Sequence, residues 1–213
     1  MKFPLIIFDW DGTLMDSVGR IVSSMQRTAA ALNLVQPSEA AVRDIIGISL
    51  NPAIERLFGP LSKPDMTLFK DVYRQQYVHD DMTPSPLFPG AQALLEELHE
   101  RGHTLAVATG KARHGLERVW QEVNIQHLFH ASRCADETES KPHPLMLHEL
   151  MAETGHDVEH AVMVGDSIHD MQMAQNAGMA RIAVAFGAHD ASRLAAHQPL
   201  AIINELAALK HWV

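Results

Sequence analysis

The sequence predicts an α/β protein, a mostly parallel sheet with helices on both faces, carrying an all-helical insertion near its start. Three observations predict it. Beyond about residue 90 the chain alternates helical and strand-like stretches, the rhythm that builds parallel sheets through crossover helices. The stretch Thr104–Ala108 is apolar without alternation, as a strand covered on both faces is. Residues 16–80, by contrast, hold helix after helix. They close on Thr83-Pro84-Ser85-Pro86-Leu87-Phe88-Pro89-Gly90, a proline-dense path that cannot continue a helix. The expected organisation is a core of residues 1–15 and 84–213 with a helical domain, residues 16–83, inserted into it.

Taken in order, Leu5-Ile6-Ile7-Phe8 is a short strand that breaks into Asp9-Trp10-Asp11-Gly12-Thr13-Leu14. Asp-Gly is a strong hairpin signal, but no second strand follows. Val18, Ile21, Val22, Met25, Ala29 and Leu32 run instead at helical spacing behind the start signal Asp16-Ser17. Breaks fall at Pro37-Ser38, from Gly47 to Pro52 and from Gly59 to Pro64, and Phe69, Val72, Tyr73, Gln76 and Tyr77 mark the packed face of the last inserted helix. After the prolines, Ala91, Leu94, Leu95 and Leu98 line a helix ended by Gly102. Strand Thr104–Ala108, helix Ala112–Val123, strand His130–Cys134, helix His143–Thr154 and strand Ala161–Val164 come next. Helix Ile168–Ala177 is closed by Gly178, strand Arg181–Ala185 follows, and the tail is an apolar piece, Leu200–Ile203, with a docking helix, Asn204–His211.

Composition narrows the function. The chain has 213 residues, 46% hydrophobic and 20% charged, with a net charge of −9, which disfavours nucleic acid and anionic membranes as partners. The apolar start is too short to span a bilayer and lacks a cleavage-site pattern. With Cys134 the single cysteine, no intrachain disulfide forms, and a reducing cytoplasm is the expected compartment. The 14 histidines are scattered, and His156 and His160, four apart, sit in a loop marked by Gly155 and Asp157 rather than in a zinc pattern.

In parallel sheets ligands bind outside the carboxyl ends of the strands. There the sequence puts Asp9 and Asp11 after the first strand, Thr109-Gly110-Lys111 after the second, and Gly165-Asp166-Ser167 with Asp170 after Ala161–Val164, while Lys141-Pro142 leads into the helix before that strand. Singly, each has a plainer reading: a helix cap, a strand-to-helix turn, a solvated lysine. Together they ask for compensation, because two carboxylates ~4 Å apart repel by about 4 kcal/mol at an effective dielectric near 20. A hard divalent cation such as Mg2+ supplies it and leaves positions for a phosphate oxygen. A carboxylate nucleophile, an adjacent acid or base, a metal and hydrogen-bond donors for spread negative charge are the parts of phosphoryl transfer.

The segments Asp9-Trp10-Asp11-Gly12-Thr13-Leu14, Thr109, Lys141-Pro142 and Gly165-Asp166-Ser167-Ile168-His169-Asp170 resemble the four motifs of the haloacid dehalogenase-like (HAD) phosphohydrolase superfamily. The insertion resembles the helical cap of the subgroup that includes phosphoglycolate phosphatase and β-phosphoglucomutase. The resemblance implies a Rossmann-like core with a helical cap, and a phosphomonoester hydrolase using Mg2+ on a small phosphorylated metabolite. It implies Asp9 as the nucleophile that becomes an aspartyl-phosphate and binds the metal. Asp11 is then the acid and base, reaching the metal through its backbone carbonyl, with Thr109, Gly110 and Lys141 holding phosphoryl oxygens or neutralising charge. Asp166 is a direct metal ligand, and Asp170 acts through water or by holding Lys141. The dehalogenases of the superfamily lack a residue like Asp11. A phosphoryl mutase or a pyrophosphatase of the same superfamily, and a phosphate-binding regulatory protein without catalysis, are the alternatives; the oligomer is expected to be a monomer or homodimer. Substrate choice is expected on the cap, at Arg43 and the loop Gly47-Ile48-Ser49-Leu50-Asn51, with Lys111 and Arg113 adding positive potential at the mouth. Residues 12–16 and 84–89 are the expected hinges of cap closure.

Overall fold

In the computed structural model, which describes residues 2–213, the run Leu5–Phe8 forms β1 with every side chain buried. It pairs in parallel with β2 (Thr104–Thr109) on one side and β4 (Ala161–Gly165) on the other, so that Phe8 lies beside Val107 and Val164. With β3 (Ala131–Cys134), β5 (Ala180–Val184) and β6 (Ala201–Ile203), the described residues form a six-stranded parallel sheet in the order β3-β2-β1-β4-β5-β6. Successive side chains of a strand point to opposite faces. Ile6, Phe8, Leu105 and Val107 therefore pack on the side of α5 (Ala91–Glu100) and α6 (Arg113–Val123), while Leu5, Ile7, Ala106 and Ala108 pack on the side of α7 (Leu145–Thr154) and α8 (Ile168–Asn176). The order reverses at β1, and a reversal of this kind opens a crevice at the carboxyl ends of the strands beside it.

The inserted helices are α1 (Val18–Ala31), α2 (Glu39–Ile45), α3 (Leu50–Phe58) and α4 (Lys63–Gln75), the last loosening into a π-helical turn at Gln76–Asp80. They bury a core of their own, with Met25, Val42, Ile54 and Phe69 at its centre. Ser38 and Ser62 cap α2 and α4 by accepting from the amides of Ala41 and Asp65. Pro52 and Pro64, expected as breaks, lie inside the first turns of α3 and α4. A first-turn residue has no intrahelical bond to lose, so proline is tolerated there. The two connections to the core run side by side: the Asp16 amide donates to Pro86 O (2.8 Å) and the Phe88 amide to Leu14 O (2.9 Å).

Other boundaries shift by one or two residues, as helix ends do. The tail departs further. It is a 3-10 turn, Leu206–His211, rather than an α-helix, and the 3-residue repeat sets Leu206 and Leu209 on one buried face. α9 (Ala191–Ala195), between β5 and β6, is an element the sequence reading passed over. No helix among the described residues is long and apolar enough to cross a membrane.

Candidate active site

The loop after β1 is built to hold two carboxylates rather than to turn back. The Asp9 amide still donates to Val164 O (2.9 Å), extending the pairing by one residue, and Trp10 O then accepts from the amides of Leu14 and Met15 (both 3.0 Å). Gly12 takes a left-handed φ of +81°, and a Cβ at that position would run into the Asp166 carboxylate. Asp9 and Asp166 are thereby brought together at the ends of two adjacent strands.

Lys141 reaches between Asp9 and Asp170 from the loop before α7. Its Nζ lies 2.7 Å from Asp9 Oδ1 and 2.7 Å from Asp170 Oδ1, with all three side chains buried. The other oxygen of Asp170 accepts from the Ser167 hydroxyl (2.6 Å) and amide (3.0 Å), closing a capping box at the start of α8. Asp166 accepts from Thr13 Oγ1 (2.9 Å) and from the Ala188 amide (2.6 Å). Asp9 Oδ2 is left buried without a hydrogen-bond partner.

Charge in this cluster is unbalanced. Burial raises the Asp9 carboxyl well above the ordinary carboxylate range; Lys141 opposes that, and Asp170 and Asp166 add to it. Asp166 is pushed up to about 7, by burial first and then by Asp170. Burial would lower Lys141, but Asp170 and Asp9 outweigh it and keep the ammonium charged. Asp9, Asp166 and Asp170 can bring one oxygen each within 4.8 Å of one another, the one such group among the described residues. Three carboxylates against one ammonium, all-oxygen donors and an orphaned Asp9 oxygen fit a hard divalent cation. Asp9, Asp166 and Asp170 are the side chains placed to hold it, and Asp170 also accepts from Lys141.

Asp11 faces another way. Its Oδ1 accepts from Ser17 Oγ (2.6 Å) and pairs with Lys111 Nζ (2.9 Å), so its carboxylate stands apart from the metal-capable trio; the sequence reading has it reach the metal through its backbone carbonyl. Lys111 in turn lies 3.3 Å from the Tyr77 hydroxyl, which comes from the inserted helices. Asp9 and Asp11 both line a cavity of about 1070 Å³ between the helical layer and the sheet, whereas Thr109, Lys141, Asp166 and Asp170 are buried behind its wall.

The inserted loop divides in its placement. Gly47, Ile48 and Ser49 line the cavity, the Ser49 amide donates to Ser140 Oγ (3.0 Å), and Gly110 is pressed so closely beneath the carbonyls of Gly47 and Ile48 that a Cβ would collide with them. Arg43 is not on the cavity wall. Its guanidinium pairs with Glu39 (2.8 Å) and donates to Gly187 O (3.2 Å), because α2 turns that face toward the outer loop of the core. Arg113 is likewise held at the sheet edge by Glu137 (2.7 Å) and Ser132 (2.9 Å).

Thr13, Ser17, Ser140 and Ala188 were not singled out as site residues. Thr13 and Ser17 flank the acidic loop and carried a signal by position; Ala188 acts through its backbone and carried none. Cys134 is buried with its thiol pushed up to about 12, by burial first, and is no nucleophile.

Fold and site together define an α/β protein with carboxylates gathered at the ends of its parallel strands. Residues 6–184 match the family of haloacid dehalogenase-like hydrolases, and the chain belongs to that family. It is 34% identical to a probable phosphatase, IndB, of Dickeya dadantii, over 94% of this chain and 89% of that protein. It is 32% identical to a 5′-nucleotidase of Pseudomonas aeruginosa, over 99% and 95%. Other relatives are named phosphoglycolate phosphatase. A crystal structure of a predicted phosphoglycolate phosphatase from Haemophilus somnus superposes with a TM-score of 0.89 at 28% identity, covering 100% of this chain and 98% of that one. The protein is a hydrolase, and the relatives named above are phosphatases.

Proposed function

We propose that the protein is a magnesium-dependent phosphomonoester hydrolase, phosphoglycolate phosphatase-like, that dephosphorylates a small metabolite through an aspartyl-phosphate. The observation that carries the proposal is the state of Asp9, a residue of the cavity wall: one oxygen is pinned by Lys141 and the other, Oδ2, is buried without a partner. Oδ2 attacks phosphorus and the bond to the ester oxygen breaks. Asp11, on the wall of the same cavity, gives its proton to the departing alkoxide and then takes one from the water that attacks phosphorus, freeing Asp9 and releasing inorganic phosphate. The Thr109 hydroxyl and the Gly110 amide are the donors for phosphoryl oxygens, and Lys141 opposes protonation of Asp9. Asp9, Asp166 and the Asp11 carbonyl would hold Mg2+, which when bound offsets the negative charge shared by phosphoryl group and carboxylates. Cap residues Gly47, Ile48 and Ser49, which close over Gly110, take part in choosing the substrate.

The relatives' names diverge at similar identity, so the substrate is to be found by assay. A panel of phosphorylated metabolites with and without Mg2+ tests the proposal. Magnesium-dependent release of phosphate by the wild type and none by Asp9→Asn is the expected result. Binding of phosphate esters without turnover would instead identify a regulatory protein, and accumulation of a sugar bisphosphate a mutase. The same preparation, run by light scattering, reads out the monomer or homodimer; the lone buried Cys134 suits the reducing cytoplasm proposed for it.

A further inference from the structure

The geometry points to a substrate with a bulky planar body, a phosphomonoester of nucleotide size rather than a two-carbon acid, with Gly115 as the residue that makes room for it. This inference rests on the phosphatase reading of the same site.

Three observations carry it. First, the cavity above Asp9 and Asp11 holds about 1070 Å³, at the top of the range of sites that enclose whole cofactors or drug-sized ligands. Second, its wall beyond Asp11 carries aromatic rings, with the Lys111 ammonium 5.0 Å and the Arg118 guanidinium 5.9 Å from the centre of the Tyr77 ring. Lys111 joins Asp11 to the Tyr77 hydroxyl, and the Tyr77 ring stacks on that of Tyr73 at 5.9 Å and 29°. Ile21, Met25 and Val78 also line the cavity, so beyond the Lys111 ammonium a leaving group has hydrophobic side chains to rest on. Lys70 and Arg74, on the next faces of α4, supply donors for acceptors on the rim of a ring system. The one inserted arginine expected to grip a small carboxylate, Arg43, is tied outside the cavity.

Third, α6 contributes a glycine to the cavity wall. Gly115 lies within the first turn of α6 and lines the cavity, and a Cβ built there meets no heavy atom within 4 Å. Its backbone is not in the left-handed region, so no conformation demands glycine. A glycine inside a helix costs stability relative to alanine. Space in the cavity is what the absent side chain provides.

The test compares kcat/KM of the full-length protein with Mg2+ for AMP, UMP, ribose 5-phosphate and phosphoglycolate. A nucleotide is expected to exceed both smaller esters at least tenfold. Gly115→Trp is expected to lower the nucleotide-to-phosphoglycolate ratio at least tenfold, with Gly115→Ala moving it less. Should Gly115→Trp not fold, as judged by circular dichroism, Tyr73→Leu carries the same expected direction. A wild-type preference for phosphoglycolate or ribose 5-phosphate, or a ratio unmoved in a folded Gly115→Trp, overturns the inference and leaves the phosphatase reading standing. No hydrolysis of any ester sinks that reading, and this inference with it.

Discussion

At Asp9 the chain concentrates negative charge that its own residues only partly balance. Asp9, Asp166 and Asp170 share Lys141, and the carboxyls of Asp9 and Asp166 are held above their ordinary range by burial. Asp9→Asn is therefore expected to lose activity by about 10³-fold or more, yet to melt at a higher temperature than the wild type in EDTA. A lower melting temperature there would show the cluster to be balanced without metal. Lys141→Met has the opposite sign, because it leaves buried acids without their cation. We expect it to cost about 3–5 kcal/mol in chemical denaturation, and a loss under 1 kcal/mol would remove Lys141 from this role. These residues were legible in the sequence because each sits at the end of an apolar strand or beside a helix start. The partners of Asp11 were not: Lys111 is a hundred residues away, and its pairing with Asp11 and Tyr77 depends on three elements meeting.

Among the elements, the loop after β1 and the exit from the inserted helices are the sensitive ones. Gly12→Ala must hold φ at +81° and put its methyl into Asp166, so it is expected to destabilise the protein by about 1–3 kcal/mol and to weaken metal binding in calorimetry. Asp81, after the π-helical turn, would be raised by burial alone, but hydrogen bonds from Thr83 and Ser24 bring it down to about 2 from 3.8. A depressed carboxylate contributes stability that is complete above its unfolded value and lost as pH falls toward the folded one. Melting followed from pH 5 to 2 should thus show the wild type losing more stability than Asp81→Asn, chiefly between pH 4 and 2; parallel curves would exclude this network. Helix positions were readable from periodicity, whereas the starts of α3 and α4 were not, since a proline marks a break and a first turn alike.

For the whole molecule, the sequence sufficed for a parallel sheet and an inserted helical layer, because helix and strand alternate after residue 90 and do not before it. Strand order lay beyond it: nothing local tells β4 to pair with β1 rather than β3. How the helical layer rests on the sheet was equally hidden, and with it the fate of Arg43. On one side Tyr77 meets Lys111, and on the other Asp44 pairs with Arg193 and its carbonyl contacts His169 Nε2 at 2.9 Å. Contacts on both sides of the cavity tie the layer to the core.

The central place of β1 also sets an order of events. Leu5 finds its neighbours at Thr104 and Ala161, so the strand that carries Asp9 is made long before either of the strands that satisfy its edges. The inserted helices, whose contacts are local, are complete in sequence long before that. Local contacts form fast and distant pairings slowly. In pulse-labelled refolding, amides of α1 and α4 should gain protection before those of Ile6 to Phe8, and simultaneous protection would show one cooperative step. Until the end of β4 and the start of α8 arrive, the chain holds an adhesive apolar edge and no active site, so a form truncated before them is expected to aggregate rather than act as a weak enzyme.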